Sequence, residues 1–398
     1  MGRELRARVD EPSTTCLSSD GRSPVSATPP ASTSDHRRKR SLSRRGVIGA
    51  AGAVAAGAAL TPAVFAATES DESSGTPDSA PGTKAEQFPA TRTEAATGTG
   101  EATASFAISY VGIRWDGTPD GAGIRFADGD AAPGEWRTPG AGCAIVEGGG
   151  TALVAAGDAT AYEVKAPDGA SGVRSLAIDT TGGADRTFQV PSETTRVRGV
   201  EYLSRPAWGA DESKRYKDGV VNTPETYYPL QTITVHHTDT VNADPDPAAT
   251  VRAIYEYHAI TLDWGDIGYH FLIDEAGTIY EGRYSGDDGV PAFDADGKLV
   301  TAFHTSGYNS GNLGIALLGT LTDQAPTDAA KASLTRLIKA IAAFKGLDPQ
   351  AKVTFVNPVN GVTKDVTTVS GHRDWLETDC PGQTMYDLLD EVRAAASR

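Results

Sequence analysis

Two histidines and a cysteine that lie far apart in the chain place the strongest constraint on its fold. His372 and Cys380 stand eight residues apart in the turn-rich stretch Gly371–Gly382. His236 comes much earlier, near the end of the apolar run Thr232–Thr238. Two imidazoles and a thiolate form a ligand set that zinc binds tetrahedrally, and a catalytic zinc keeps its fourth position for water. The sequence therefore predicts a fold that brings His236 next to His372 and Cys380.

Taken singly, these residues also have ordinary structural interpretations. A histidine after an apolar strand is often a satisfied core residue, His372 fits a capping or ion-pairing role, and Cys380 fits an inert buried thiol. Their combination with Tyr269, His304 and the Cys-Pro-Gly turn favours a functional site instead. Every histidine except His36 lies in the carboxy-terminal half of the chain, so the predicted site lies there as well.

Residues 1–66 are typical of a leader exported by the twin-arginine route. The stretch Ser43–Gly49 holds two adjacent arginines, the apolar run Val47–Leu60 overlaps and follows it, and Val64–Ala66 offers small residues for cleavage. A transmembrane anchor is the alternative, but this run is shorter and richer in glycine than the ~20 strongly apolar residues of a spanning helix. We therefore predict a cleaved signal peptide with a long basic segment, and a secreted protein with no stable membrane insertion.

The remaining residues divide by composition into three parts. Residues 67–100 are rich in threonine, serine, glutamate, glycine and alanine, and predict a disordered linker. Residues 101–192 hold short apolar or alternating runs separated by Asp-Gly turns, which predict a small all-β sandwich domain of unknown role. In residues 197–398, strand patterns alternate with amphipathic helix patterns, which predicts an α/β domain built around a central sheet.

Charge and cysteine content narrow the choice of partners. The formal net charge is −16, and since residues 1–66 are net basic, the exported part is still more acidic. An acidic surface disfavours nucleic acid and anionic lipid as partners. With only 3 cysteines, the chain is not a disulfide-stapled scaffold. A disulfide between Cys143 and Cys380 is the alternative to our prediction that Cys143 is a small buried side chain and Cys380 a metal ligand.

Several motifs follow one another along the second domain in an order that matches a known family. They are Arg205–Ala210, Val235–Thr238, Gly268–Ile273, Tyr280–Arg283, Phe303–Asn309, Gly314–Gly319 and Gly371–Arg373. The region from Arg205 to about Arg393 resembles the zinc-dependent N-acetylmuramoyl-L-alanine amidases of the peptidoglycan recognition protein type, which include the amidase-type phage lysozymes. The resemblance implies an α/β amidase domain with a central mixed sheet flanked by helices, preceded here by the small all-β sandwich domain.

The resemblance also assigns roles to individual residues. It implies three zinc ligands: His236, His372 and Cys380. It implies two catalytic residues, Tyr269 and Thr378, of which Thr378 stands where some phage enzymes have a lysine and would orient the substrate carbonyl without a positive charge. It implies a substrate groove with three contacting residues: His304, His237 and Asn309. Strand alternation points His237 to the opposite face from His236, which favours packing or a supporting role over metal binding.

The function implied by the resemblance is that of a bacterial, secreted, cell-wall-associated amidase, acting as a monomer with one zinc ion per chain. Its substrate would be peptidoglycan, and the bond cleaved would join N-acetylmuramic acid to the L-alanine of the stem peptide. The alternative is a non-catalytic peptidoglycan-binding protein; binding-only relatives typically lack the cysteine, so Cys380 favours the enzyme. A metalloprotease is a third interpretation, but the chain has no His-Glu-x-x-His motif.

Overall fold

The computed structural model describes residues 82–119, 121–129, 131–139, 148–287 and 290–398. The predicted signal peptide over residues 1–66 and the thiol of Cys143 therefore lie outside the described residues. Across the ranges that the structure describes, no helix combines the length and the apolar character needed to span a membrane.

Antiparallel strands make up the amino-terminal region, which we define as residues 82–191. The strands are β1 (Thr83–Pro89), β2 (Arg92–Thr97), β3 (Gly100–Thr103), β4 (Tyr110–Asp116), β5 (Gly123–Ala127), β6 (Gly149–Ala155), β7 (Ala161–Lys165), β8 (Ser171–Asp179) and β9 (Asp185–Pro191). One sheet has the order β2-β8-β4-β6 and a second has the order β3-β7-β5, while β1 pairs with β9 as a separate ribbon. The two sheets share an apolar core that includes Ile113, Ile124 and Val164, because every second side chain of a strand points inward.

The predicted disordered linker over residues 67–100 is wrong for residues 82–100. In that segment β1 pairs with β9, β2 with β8 and β3 with β7, each in antiparallel register. β2 and β3 are edge strands, and their side chains remain at least partly exposed. Backbone hydrogen bonds to one neighbouring strand order such a segment without large apolar side chains, which is why its composition matched that of a linker. Residues 67–81 lie outside the described part of the chain.

Strands and helices alternate in the carboxy-terminal region, which we define as residues 196–398. The strands are β10 (Arg196–Val197), β11 (Val200–Glu201), β12 (Tyr216–Lys217), β13 (Val220–Val221), β14 (Tyr227–Tyr228), β15 (Thr232–His237), β16 (Phe271–Ile273), β17 (Ile279–Glu281), β18 (Leu299–Val300), β19 (Asn312–Leu317), β20 (Lys352–Val356), β21 (Thr363–Thr367) and β22 (Val369–Gly371). The helices are α1 (Pro247–Glu256), α2 (Asp328–Lys345), α3 (Gln383–Asp387) and α4 (Leu389–Ala396). A π-helical turn over Tyr257–Thr261 continues α1, and a 3-10 turn over His372–Asp374 follows β22.

The central sheet of this region has the strand order β17-β16-β19-β15-β22. β16, β19, β15 and β22 run parallel to one another, and β17 runs antiparallel to β16. One face of the sheet packs against α2 and α4 and the other against α1, so its strands are buried on both sides, as parallel strands usually are. The predicted α/β class with a central mixed sheet flanked by helices is confirmed.

Local sequence signals fix the ends of the two longer helices. α1 begins at Pro247, whose missing N–H costs nothing at the first helical position, and the Asp246 side chain accepts a hydrogen bond from the first turn. α2 begins after Thr327, which caps it in the same way, and ends at Lys345, where Gly346 with a positive φ of 66° forms the carboxy-terminal cap. Both helices therefore begin at capping residues that the sequence supplies, and α2 also ends at one.

The amino-terminal region packs directly against α1 and the turn that follows it. The hydroxyl of Tyr110 lies 2.9 Å from Oγ1 of Thr250, and Arg252 donates a hydrogen bond of 3.1 Å to the carbonyl of Thr180. The apolar side chains in this contact are Tyr110, Leu176, Ile178, Ala253, Tyr257 and Leu262. The boundary predicted between residues 192 and 197 therefore does not separate two independent cores, and the described residues belong to one compact unit.

Gly112 of β4 provides a test of this contact. A Cβ atom at Gly112 would lie 2.7 Å from Cδ2 of Tyr257, so Gly112→Ala should force the two regions apart. We expect the substitution to lower the free energy of unfolding, measured by urea denaturation, by about 1–3 kcal/mol. Gly134→Ala is the matched control, because its Cβ would meet nothing closer than 3.5 Å, and it should stay within about 0.5 kcal/mol of the wild type. Equal stabilities of the two variants would contradict a tight contact.

Candidate active site

His236, His372 and Cys380 come together at one edge of the central sheet. β15 and β22 run parallel with Val235 opposite Gly371. The residues that follow these two, His236 and His372, therefore lie at the same edge of the sheet. The two histidine rings have centroids 4.5 Å apart. Sγ of Cys380 lies 3.6 Å from Nδ1 of His236, and the ligand atoms of the three residues all lie within 4.8 Å of one another.

The segment from His372 to Cys380 folds back on itself and places the cysteine beside the histidine. The N–H of Arg373 donates a hydrogen bond of 2.9 Å to the carbonyl of Cys380, which ties the two ends of the segment together. The carboxylate of Asp374 accepts a hydrogen bond of 2.8 Å from the N–H of Gly371, which fixes the turn that begins at His372. One short segment thus holds two of the three side chains at a set separation.

The three side chains fit a zinc ion. His372 is fully buried, yet neither ring nitrogen has a hydrogen-bond partner among the described residues. Burial lowers the pKa of His372 to about 3, so the ring is neutral, and an unpartnered buried imidazole costs free energy that a metal ion would recover. The 3.6 Å between Cys380 Sγ and His236 Nδ1 matches the roughly 3.6 Å that bond lengths of about 2.3 and 2.05 Å give for two ligands of one tetrahedral zinc.

Hydrogen bonds fix which nitrogen of His236 faces the cysteine. Nε2 of His304 lies 3.0 Å from the carbonyl oxygen of Asn312; since a carbonyl only accepts, this nitrogen carries the hydrogen. Burial lowers the pKa of His304 to about 4, so the ring is neutral and its Nδ1 is an acceptor. Nε2 of His236 lies 3.0 Å from Nδ1 of His304 and must donate a hydrogen bond to it. The hydroxyl of Thr305 lies 2.8 Å from the same Nδ1 and is a second donor. Nδ1 of His236 is left unprotonated toward Cys380, ready to bind a metal.

Tyr269 connects this cluster to a cavity. Its ring centroid lies 5.3 Å from that of His236, and its side chain is only 3% exposed. Tyr269 lines a cavity of about 380 Å³ together with Thr238, Thr240 and His258. A phenol hydroxyl is both donor and acceptor. The structure therefore places a hydroxyl-bearing side chain beside the cluster, at the edge of a cavity large enough for part of a substrate.

Thr378 lies on the loop that precedes the cysteine. Its Oγ1 accepts a hydrogen bond of 3.3 Å from the N–H of Cys380, and the side chain is half-buried. That contact uses the oxygen of the hydroxyl and leaves its hydrogen to be donated elsewhere. The orientation of a substrate carbonyl by Thr378 stays a prediction.

Comparison with known proteins adds a family to this geometry. A family model described as N-acetylmuramoyl-L-alanine amidase matches residues 226–383. The chain is 33% identical over 166 residues to the human N-acetylmuramoyl-L-alanine amidase, a match that covers 40% of this chain and 24% of the human protein. It is 30% identical over 195 residues to peptidoglycan-recognition protein SC2 of Drosophila melanogaster, covering 48% of this chain and 86% of that protein. The chain belongs to the family of peptidoglycan recognition proteins and N-acetylmuramoyl-L-alanine amidases.

The extent of these matches differs between relatives. This family member spans 24%, 23% and 34% of the human, pig and mouse amidases that it matches. Among solved structures, the wild-type Drosophila protein PGRP-LB is 25% identical, with a TM-score of 0.35 and coverage of 50% of this chain and 94% of that one. The matched residues of the family model lie within the carboxy-terminal region, so the amino-terminal region stands outside the match.

In this family member, the contacts of His304 and Asn309 differ from the predicted substrate groove. His304 is buried, and its ring nitrogens bond to His236 and Asn312. Oδ1 of Asn309 accepts hydrogen bonds from the N–H groups of His304 and Thr305, at 2.9 and 2.7 Å. These contacts let His304 position His236 and let Asn309 shape the turn that holds His304. A direct contact of either residue with substrate stays a prediction. The motif identified the residues but not the direction of their side chains, which depends on tertiary packing.

His237 is also placed away from the predicted substrate contact. Its Nδ1 accepts a hydrogen bond of 3.0 Å from the N–H of Leu321, and the side chain is buried. Strand alternation sets it on the opposite side of β15 from His236. The supporting role inferred from alternation fits these contacts better than the substrate-binding role implied by the resemblance.

Two residues of β19 support the site of this family member, and the sequence assigned a role to neither. The carbonyl of Asn312 accepts the hydrogen bond from His304, and its side-chain oxygen accepts one of 2.9 Å from Thr234. A Cβ atom at Gly314 would lie 2.6 Å from Cγ of His304, so only glycine leaves room for the ring. The available signal was a glycine inside an otherwise apolar strand, which often marks a close approach.

Proposed function

We propose that this protein is a zinc-dependent amidase that hydrolyses the bond between N-acetylmuramic acid and L-alanine in peptidoglycan. The observation that carries the proposal is the buried cluster of His236, His372 and Cys380, with a lone pair of each available at ligand separation. A zinc ion bound there would supply a Lewis acid that polarises the amide carbonyl and activates water. Membership of the amidase family supports the same reaction.

The chain's own residues would bind and orient the substrate. The hydroxyl of Tyr269 would donate a hydrogen bond to the amide oxygen as negative charge develops on it. Burial of the cluster excludes bulk water, which strengthens that interaction relative to the same contact in solvent. His304 holds the tautomer of His236, and the loop of Thr378 holds Cys380, so neither ligand has to reorganise during the reaction.

A non-catalytic peptidoglycan-binding protein is the second candidate, because relatives of this chain include proteins named for peptidoglycan recognition. Retention of Cys380 in the buried cluster favours the enzyme. Digestion of purified muropeptides, followed by mass spectrometry, separates the two candidates. We expect free stem peptide and peptide-free glycan; muropeptides that are bound but returned intact would support the binding protein. We also propose that the protein acts as a monomer outside the cell, without a nucleic acid partner.

Export by the twin-arginine route is a separate proposal that rests on the sequence of residues 1–66. Replacing both Arg44 and Arg45 with lysine should retain the protein inside the cell, since the route depends on the arginine pair rather than on its charge. Immunoblots of the medium and of the cells measure the distribution. Replacing Arg37 and Arg38 with lysine is the matched control and should leave export intact. Unchanged secretion of the Arg44–Arg45 double variant would contradict the proposal.

A further inference from the structure

The cavity at Tyr269 is built by both regions of the chain. On one side it is lined by the segment Arg137–Pro139 and by residues Ala152–Ala155 of β6, all from the amino-terminal region. On the other side it is lined by the loop Thr238–Asn242 and by residues of α1 and the turn that follows it. Its volume of about 380 Å³ lies at the lower end of the range for ligand sites. The amino-terminal region thus forms one wall of the cavity beside Tyr269, the candidate catalytic residue.

This wall is a fixed part of the molecule. Besides the hydrogen bonds of Tyr110 and Arg252, Nη1 of Arg114 donates a hydrogen bond of 3.1 Å to the carbonyl of Leu262 across the contact. The absence of a side chain at Gly112 lets β4 lie flat against the ring of Tyr257. Buried polar contacts of this kind cost free energy when one partner is removed. A substrate that reaches Tyr269 through this cavity therefore meets the amino-terminal wall.

The polar groups of the opposite loop are already used within the protein. The hydroxyls of Thr238 and Thr240 lie 2.8 Å apart, and both accept from the N–H of Gly319 at 3.1 Å. Asn242 exchanges hydrogen bonds with the backbone of Thr320. Asp239 of this loop also lines the cavity, and its Oδ1 accepts a hydrogen bond of 3.0 Å from the hydroxyl of Thr320. A sugar ring needs several free donors and acceptors, and this loop offers few. Apolar side chains such as Leu153 of β6 instead suit the small side chains of a short peptide.

Arg137 adds a positive charge to this wall. Its guanidinium donates a hydrogen bond of 3.0 Å to the carbonyl of Ala155 and lies over the ring of Phe126, 5.0 Å from its centroid. These two contacts fix the side chain beside the cavity and leave further N–H groups of its five for a ligand. A planar guanidinium binds carboxylates with charge-assisted hydrogen bonds. Among the described residues that line the cavity, Arg137 is the cation and Asp239 the acid, so an anionic group of a ligand would bind at Arg137.

We infer that Arg137 and the residues of β6 form the part of the substrate site that takes the stem peptide, with Arg137 binding a peptide carboxylate. The inference rests on the proposed function, and it makes the amino-terminal region a determinant of substrate specificity. Every stem peptide ends in a carboxylate, and its first residue carries only a methyl group. Both features match the charge and the apolar lining of the wall.

Calorimetric titration of the full chain with a free stem peptide tests this inference without requiring hydrolysis. The peptide is used in two forms, one with free carboxylates and one in which they are converted to carboxamides. Arg137→Ala should weaken binding of the carboxylate form about tenfold, the loss of one charge-assisted hydrogen bond, and should leave binding of the carboxamide form within about twofold. Ala155→Leu, which fills the wall, should weaken both forms. Arg174→Ala removes an exposed arginine of the same region outside the cavity and should change neither.

The outcomes separate this inference from the proposed function. If the wild-type chain fails to bind the peptide, or if Arg137→Ala binds both forms like the wild type or loses both equally, the inference falls even where muropeptides are hydrolysed. If the carboxylate form alone is weakened but the wild type releases no stem peptide from muropeptides, the inference stands and the amidase proposal falls. Thermal unfolding of each variant checks that the loss reflects the site and not the fold.

Discussion

Cys380→Ser should abolish amide hydrolysis and release the metal. A serine hydroxyl is a far poorer zinc ligand than a thiolate, and Cys380 supplies the sulfur of the cluster at 3.6 Å from His236. We expect zinc content, measured by elemental analysis, to fall from one ion per chain toward zero, and release of stem peptide to fall below detection. Binding of the free stem peptide should persist, because the cavity wall at Arg137 and Ala155 does not include the cysteine.

The matched control is Cys143→Ser, the same substitution at the other cysteine that remains after cleavage of the predicted signal peptide. It should keep both zinc and activity. Because Cys380 is 1% exposed, thermal unfolding of both variants with and without added zinc shows whether the cysteine variant still folds. Stem-peptide release by Cys380→Ser at the wild-type rate would rule out a reaction that depends on this ligand.

Tyr269→Phe should lower kcat while leaving the metal in place. The substitution keeps the ring that packs 5.3 Å from His236 and removes only the hydroxyl. If that hydroxyl donates to the substrate in the transition state, kcat should fall roughly 10²–10⁴-fold, the range for a positioned acid–base group. Zinc content should stay at the wild-type level, and binding of the free stem peptide should change little.

Tyr308→Phe is the matched control for Tyr269→Phe. Tyr308 packs against Phe355 and Trp375, in an apolar cluster separate from the cavity, so the loss of its hydroxyl should leave kcat within about twofold of the wild type, as for most substitutions away from special features. If the two variants hydrolyse muropeptides at the same rate, Tyr269 has only a structural role.

The sequence predicted the ligand cluster because strand ends and short-range motifs are local features. Both the apolar run near His236 and the turn with His372 and Cys380 can be recognised without tertiary structure. Parallel pairing of β15 with β22 then brings them together. The sequence did not predict the supporting role of His304. That role depends on ring direction, which the carbonyl of Asn312 and the space left by Gly314 determine.

The amino-terminal region was predicted less completely, for a different physical reason. Its strands were recognised where alternation was strong, but edge strands over residues 82–103 are ordered by backbone pairing that composition does not reveal. Its contact with α1 was also missed. A strand buried on two faces, such as β4, has the same apolar sequence pattern whether its second face contacts another sheet or a helix. A glycine at position 112 was the one local sign of close packing.

Zinc dependence is tested most directly by measuring zinc content and stem-peptide release on the same samples. Purified protein is titrated with a chelator and then reloaded with zinc, and each sample is assayed by elemental analysis and by mass spectrometry of digested muropeptides. The site formed by His236, His372 and Cys380 predicts one zinc ion per chain, activity proportional to the bound zinc, and recovery on reloading. Zinc-dependent hydrolysis would be contradicted if zinc-free protein released stem peptide at the full rate, or if zinc-loaded protein released none.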